Sequence, residues 1–224
     1  MDESGRLFLH SNEEDFEVLA ESDDYIAVSK PAPLIVHPTD NKGQATLLCG
    51  LQQLLCYELE NGAALSIINR LDRETSGVVL VAKNKSTARA FSRAMERREV
   101  EKSYMAVLCG NPEWSEVTVD EPIGNQRDYM TSRIWLKQMV HEDGKRSVTT
   151  FSKIKDYKGY SLVKVTPLTG RMHQIRVHAS HLGFPLLGDK IYGPDENCYL
   201  EHIERGWTER LQEVLLFRRH ALHV

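Results

Sequence analysis

The chain reads as an α+β protein. Three observations predict this class. β-Prone runs follow one another across short polar turns, as hairpins do. Two stretches instead space their apolar residues along one face of a helix. The 224 residues are 41% hydrophobic and 27% charged, a composition that suits a soluble globular chain of one domain or two closely joined subdomains. No apolar run is long enough to span a bilayer, so no membrane partner is expected. The first 15 residues form an acidic N-terminal extension. The opening MDESGRLFLHSNEEDFE lacks both the basic-then-apolar order of a signal peptide and the Arg-rich bias of a transit peptide, so the expected location is cytoplasmic. Net charge is −4, so a nucleic-acid partner would require the cations to be gathered on one face.

Residues 16–30 predict a hairpin with its turn at 21–24, ended by Lys30-Pro31-Ala32-Pro33, because prolines do not sit in a central strand. Lys30 reads either as a phosphate contact or as an ordinary turn lysine. Residues 45–59 predict one helix: Leu47, Leu48, Leu51, Leu54 and Leu55 recur along one face, and Gly62 follows as a cap.

The stretch from Leu65 to Lys83 predicts strand, polar loop, strand. Between apolar Ile67-Ile68 and Val78-Val79-Leu80-Val81 lies Arg70-Leu71-Asp72-Arg73-Glu74-Thr75-Ser76-Gly77. Asp72 has cations on both sides, a setting that favours its ionised form. An ionised carboxylate on a short loop between two strands suits a nucleophile or general base. The same loop also reads as a solvated hairpin.

Residues 85–98 predict a second helix. Ala88, Phe91 and Met95 mark its apolar stripe, while Lys85, Arg89, Arg93 and Arg97 fall four apart and form a slowly drifting basic ridge. With Arg98 and Lys102 this ridge is the best phosphate-binding candidate, against the alternative of a solvated face balanced by Glu96, Glu99 and Glu101. Residues 102–110 predict a strand closed by Gly110. Residues 117–119 suggest another, and 126–137 are polar and weakly patterned. Paired strands are expected at 147–155 and 159–166, and one or two short helices at 195–224.

The second dense motif is Leu168-Thr169-Gly170-Arg171-Met172-His173-Gln174-Ile175-Arg176-Val177-His178, continuing through His181 to Gly188-Asp189 and Tyr192-Gly193. A helix starting at Thr169 or Gly170 would place His173, Arg176 and His178 in its first two turns, where anions are favoured. His173, His178 and His181 lack a helical i, i+4 pair and have no carboxylate among them, so no metal site is expected. Cys49, Cys56, Cys109 and Cys198 form no CxxC pair and read as free thiols.

Two motifs together, Arg70-Leu-Asp72-x-x-Thr75-Ser-Gly77 and Arg171-x-His173-Gln-x-Arg176-x-His178, resemble those of the RluA-like pseudouridine synthases. Tyr104 in Lys102-Ser-Tyr104-Met-Ala106, a turn at Pro122-Ile-Gly124 and the late Ala221-Leu-His223 match the same family. One departure is Asn69, where the family usually has His. The resemblance implies a catalytic domain over residues 16–224, with a mixed, mainly antiparallel sheet crossed by a cleft and flanked by helices. It implies isomerisation of uridine to pseudouridine in tRNA or rRNA without a cofactor; separately, a monomer is expected. It gives Asp72 the role of the catalytic carboxylate, Tyr104 a place beside the base, and Arg176 the pairing with Asp72. Arg70, Lys30, Arg171, His173 and the ridge Lys85, Arg89, Arg93 and Arg97 are then the RNA-contact candidates. Two other readings are a catalytically inactive RNA-binding protein of the same fold and a hydrolase with a metal on the His cluster.

Overall fold

The computed structural model describes residues 16–38 and 45–224; the acidic extension lies outside them. Two compact units divide at Val100 and Glu101.

The first unit holds β1 (Glu17–Glu21), β2 (Tyr25–Lys30), α1 (Leu47–Leu54), α2 (Cys56–Glu60), β3 (Ser66–Ile67), β4 (Gly77–Ala82) and α3 (Lys85–Glu96). Its sheet runs β1-β2-β4-β3, and β2 pairs antiparallel with β4 from Tyr25 opposite Ala82 to Lys30 opposite Gly77. Strand alternation turns Ile26, Val28 and Lys30 of β2 inward. Ile26, Val28, Val79, Val81, Leu47 and Leu51 are fully buried. The single helix expected over 45–59 is two. Thr46 caps α1 by accepting the Cys49 N–H, and the backbone leaves helical geometry at Leu55 before α2 begins. Asn84 caps α3 through the Thr87 N–H, and Phe91 of α3 meets Tyr25 of β2 edge to face.

The second unit holds β5 (Tyr104–Cys109), β6 (Glu116–Asp120), β7 (Ile123–Asn125), β8 (Gln138–Val140), β9 (Val148–Tyr157), β10 (Tyr160–Pro167), α4 (Gln174–His181), α5 (Asn197–Arg205), α6 (Glu209–Leu215) and β11 (Leu222–His223). Its main sheet runs β11-β5-β10-β9-β6, and β7 and β8 form a separate hairpin. Ala106, Leu108, Phe151, Val163 and Val165 build the sheet's core face, with Ile175 and Ala179 of α4 packed into the same cluster. The turn expected at 122–124 is instead the start of β7. Ile123 is buried with Val177, Ile191 and Tyr192 and exchanges both backbone hydrogen bonds with Lys145. The α+β class holds, and every strand pair in these sheets is antiparallel.

Candidate active site

In the first unit, the loop carrying Asp72 is held at both ends. Before it, the Asn69 carboxamide donates to the Val78 carbonyl at 2.9 Å and accepts the Leu80 N–H at 2.8 Å. The side chain thus acts as one more peptide group on the edge of β4. Within the loop, Leu71, Thr75 and Ser76 are buried, and the Thr75 N–H returns to the Asp72 carbonyl in a tight turn. Gly77 closes the loop at φ 122°, a conformation that favours glycine. Asp72 itself is half-buried, and Arg70 and Arg73 on either side are exposed.

Lys30 requires a correction: it is not an RNA-facing cation. It is fully buried, and its ammonium donates to the carbonyls of Pro31 at 2.9 Å, Leu34 at 2.8 Å and Arg73 at 3.3 Å. The inward phase of β2 forces this, and the carbonyls make burial tolerable. The Arg73 carbonyl also accepts the Leu34 N–H. Lys30 thereby braces the peptide between Arg73 and Glu74, one residue beyond Asp72.

Lys85, Arg89 and Arg93 of α3 are exposed, and Arg97 lies exposed at its end. Arg97 stands 3.8 Å from Glu99. Lys102 lies in the second unit. It is half-buried, its ammonium lies against Gly170, and burial lowers its pKa.

In the second unit, the helix of the second motif begins later than expected. His173 is its N-cap, in the left-handed region at φ 56°, so Thr169, Gly170 and Arg171 form a loop before it. Buried Gln174 holds that loop to β9. Its oxygen accepts from Thr169 Oγ1 and the Arg171 N–H. Its nitrogen donates to the Val148 carbonyl and Thr149 Oγ1. Arg171 is exposed, with Nε donating to the Arg146 carbonyl. His173 Nδ1 lies 2.7 Å from the Tyr192 hydroxyl, which accepts the Gln138 N–H.

Arg176 is buried and gripped by Asp189: Nε to Oδ2 at 2.7 Å and Nη2 to Oδ1 at 2.9 Å. Asp189 Oδ1 also accepts the Ile191 and Tyr192 N–H groups. Burial alone would raise the Asp189 carboxyl. The Arg176 guanidinium, aided by His220 and the Tyr192 N–H, instead holds it well below the usual carboxylate range. Tyr192 also presents its ring to Arg176, with 5.0 Å between guanidinium carbon and ring centroid. Tyr104 is half-buried on β5 against the sheet core.

His178 faces inward. Nδ1 meets Thr149 Oγ1 at 2.8 Å and Nε2 meets the Glu121 carbonyl at 3.0 Å, so neither ring nitrogen is open to an ion while those bonds stand. Burial pushes its pKa down, and it serves as a neutral strut between α4, β9 and the end of β6. Among the described residues, no group of three His, Cys, Asp or Glu side chains is placed to hold a metal.

The structure thus gathers Lys30, Arg70 and Asp72 around one loop, and Arg171, His173 and Arg176 around another. Sequence reasoning missed Asp189, Tyr192, Gln174 and the structural work of Asn69. The Gly188-Asp189 and Tyr192-Gly193 stretch was visible in the sequence, but nothing in its spacing showed that Asp189 turns back thirteen residues to meet Arg176.

The family model described as RNA pseudouridylate synthase matches residues 24–181. An uncharacterized RNA pseudouridine synthase of Bacillus subtilis, YlyB, is 36% identical over 183 residues, covering 80% of this chain and 58% of its own length. Ribosomal large subunit pseudouridine synthase D of Haemophilus influenzae is 34% identical over 211 residues, covering 92% of this chain and 60% of its own. Among solved structures, human RNA Pseudouridylate Synthase Domain Containing 1 superposes with a TM-score of 0.67 at 28% identity, covering 96% of this chain and 78% of that one. The chain spans less than two thirds of the length of these curated relatives.

Proposed function

Since the chain belongs to the RNA pseudouridylate synthase family, we propose that it isomerises uridine to pseudouridine in structured RNA, with Asp72 as the carboxylate that acts at the sugar. The observation that carries this reading is the hydrogen-bonded bracing of the Asp72 loop. Asn69, Thr75 and Lys30 fix its backbone before, within and after the acidic residue. An open surface loop gains nothing from such restraint; a group that must meet a ribose carbon in one orientation does.

The reaction breaks the C1′–N1 bond, turns the uracil, and joins C1′ to C5. A proton leaves C5 and N1 ends protonated, so atoms and electrons balance without an oxidant or cofactor. Asp72 either attacks C1′ or removes the C2′ proton. The base must leave its stack for either to occur, and Arg70 is assigned to the adjacent backbone or to the gap left behind. Tyr104 is assigned to the C5 proton. Arg176 is assigned to hold Asp72 ionised. Asp189 takes its Nε and Nη2, which fixes the orientation of the planar fork. The exposed α3 cations and Arg171 are assigned to phosphates.

The name of the Haemophilus relative refers to the large ribosomal subunit, which makes ribosomal RNA the first substrate to try and transfer RNA the second. The test is release of tritium from RNA transcribed with uridine labelled at C5. Release from a ribosomal or transfer RNA, absent when heat-inactivated protein is used, is expected. No release from either RNA, with binding intact, would leave an RNA-binding protein of the same fold.

A further inference from the structure

The loop between β7 and β8, the weakly patterned stretch of the sequence, displays Trp135 with 73% of its surface exposed. The Arg127 guanidinium lies 3.3 Å from the centroid of its ring, a stacked arrangement. A ring covered on one face and still this exposed presents its other face to solvent. Met130, 50% exposed, is nearby in sequence. A depression of about 480 Å³ beside Arg127 is lined by residues from Arg127 to Ser132.

The arrangement is built rather than incidental. One side chain, Asn125, sets both halves: its Nδ2 donates to the Trp135 carbonyl at 3.0 Å, and its Oδ1 accepts the Arg127 N–H at 3.0 Å. The Gln126 N–H bonds the Lys137 carbonyl across the hairpin. Ile134, beside Trp135, is buried as an anchor, and Ser132 accepts its N–H. Tyr129 stacks on His141 with centroids 3.7 Å apart. The stacked pair is thus mounted on a rigid hairpin and leaves the intramolecular core to Ile134.

We propose that Arg127 and Trp135 form a stacking platform for an unpaired base of the RNA substrate, away from the reacting uridine. This rests on the reading of the chain as an RNA-modifying enzyme. The chemistry fits a nucleobase better than a protein partner. Arg127 covers the ring, Arg133 lies two residues before it in the chain, and only Asp128 opposes them in the segment 126–135, whereas the core of a protein interface is depleted of charge. An aromatic face beside a guanidinium accepts any base and leaves the cation for its phosphate.

The test compares affinity, by fluorescence anisotropy, for two labelled RNAs of equal length: a hairpin with an unpaired loop and a blunt duplex. Trp135→Ala is expected to weaken hairpin binding about tenfold, the loss of one base–aromatic stack, and to change duplex binding less than twofold. Trp135→Phe should recover most of the hairpin affinity, which separates loss of stacking from loss of folding. Unchanged hairpin affinity in Trp135→Ala, or equal loss on both RNAs, would overturn the platform. Tritium release by the wild type reports separately on catalysis. Release with no Trp135 effect removes the platform alone, and a Trp135 effect without release removes the catalytic reading alone.

Discussion

The Lys30 ammonium donates to the carbonyl of Arg73, 43 residues further along the chain and adjacent to Asp72. A buried cation at the end of one strand thereby sets the backbone of the loop that carries the acidic residue. Replacing Lys30 with Met would remove the ammonium donor from the carbonyls of Pro31 and Leu34 and leave the Arg73 carbonyl only its bond from the Leu34 N–H. A loss of about 1–3 kcal/mol of stability is expected from such unsatisfied groups, with a fall in turnover at temperatures where the protein remains folded. Thermal denaturation and single-turnover rates measure the two. A Lys30→Met variant of wild-type stability and rate would show that the loop needs no such support.

Arg176 and Asp189 form the corresponding restraint in the second unit. Asp189→Asn leaves a buried guanidinium short of its counter-charge, and breaking a buried pair from one side costs about 3–5 kcal/mol. Arg176→Lys keeps the charge and loses the planar fork, so turnover should drop at least about tenfold, a barrier change of about 1.4 kcal/mol. Steady-state kinetics of Arg176→Lys at wild-type rate would remove the guanidinium from the mechanism.

His178 predicts a pH dependence of stability. Its pKa in the folded protein lies below the ordinary value of 6.5, so the unfolded chain binds its proton first as pH falls. The stability it contributes is complete above about pH 7 and declines as pH drops through 6.5 toward the lower folded value. Melting temperature should therefore fall between pH 7 and pH 5, and the slope should flatten in His178→Gln. An equal slope in both proteins would assign the effect to other groups.

The basic ridge on α3 predicts a salt dependence. Lys85, Arg89 and Arg93 are exposed along α3. Replacing all three with Ala should weaken RNA binding and lower the slope of log affinity against log salt by about two to three, since each phosphate contact releases close to one counterion. An unchanged slope would mean the ridge faces away from RNA.

Much of this was legible beforehand. β-Prone runs bounded by turn residues marked β2, β4, β9 and β10. The acidic loop and the Arg171–His178 motif stood out by their density of charge. What was not legible came from pairing across sequence distance. Lys30 looked like a surface cation until the inward phase of β2 met three carbonyls. Asn69 looked like a departure from a motif until its amide joined the edge of β4. The helix over 45–59 seemed continuous because leucine spacing does not reveal a break in backbone geometry at Leu55. The start of α4 was misplaced because Gln174, rather than Thr169, organises the preceding loop.

Asp72 remains the centre of the account. The most direct measurement is tritium release from C5-labelled RNA by Asp72→Asn, alongside its RNA affinity. A loss of turnover of three orders of magnitude or more, about 4 kcal/mol of barrier, with affinity within a few-fold of wild type, is the predicted result. Turnover near the wild-type rate in that variant would contradict it.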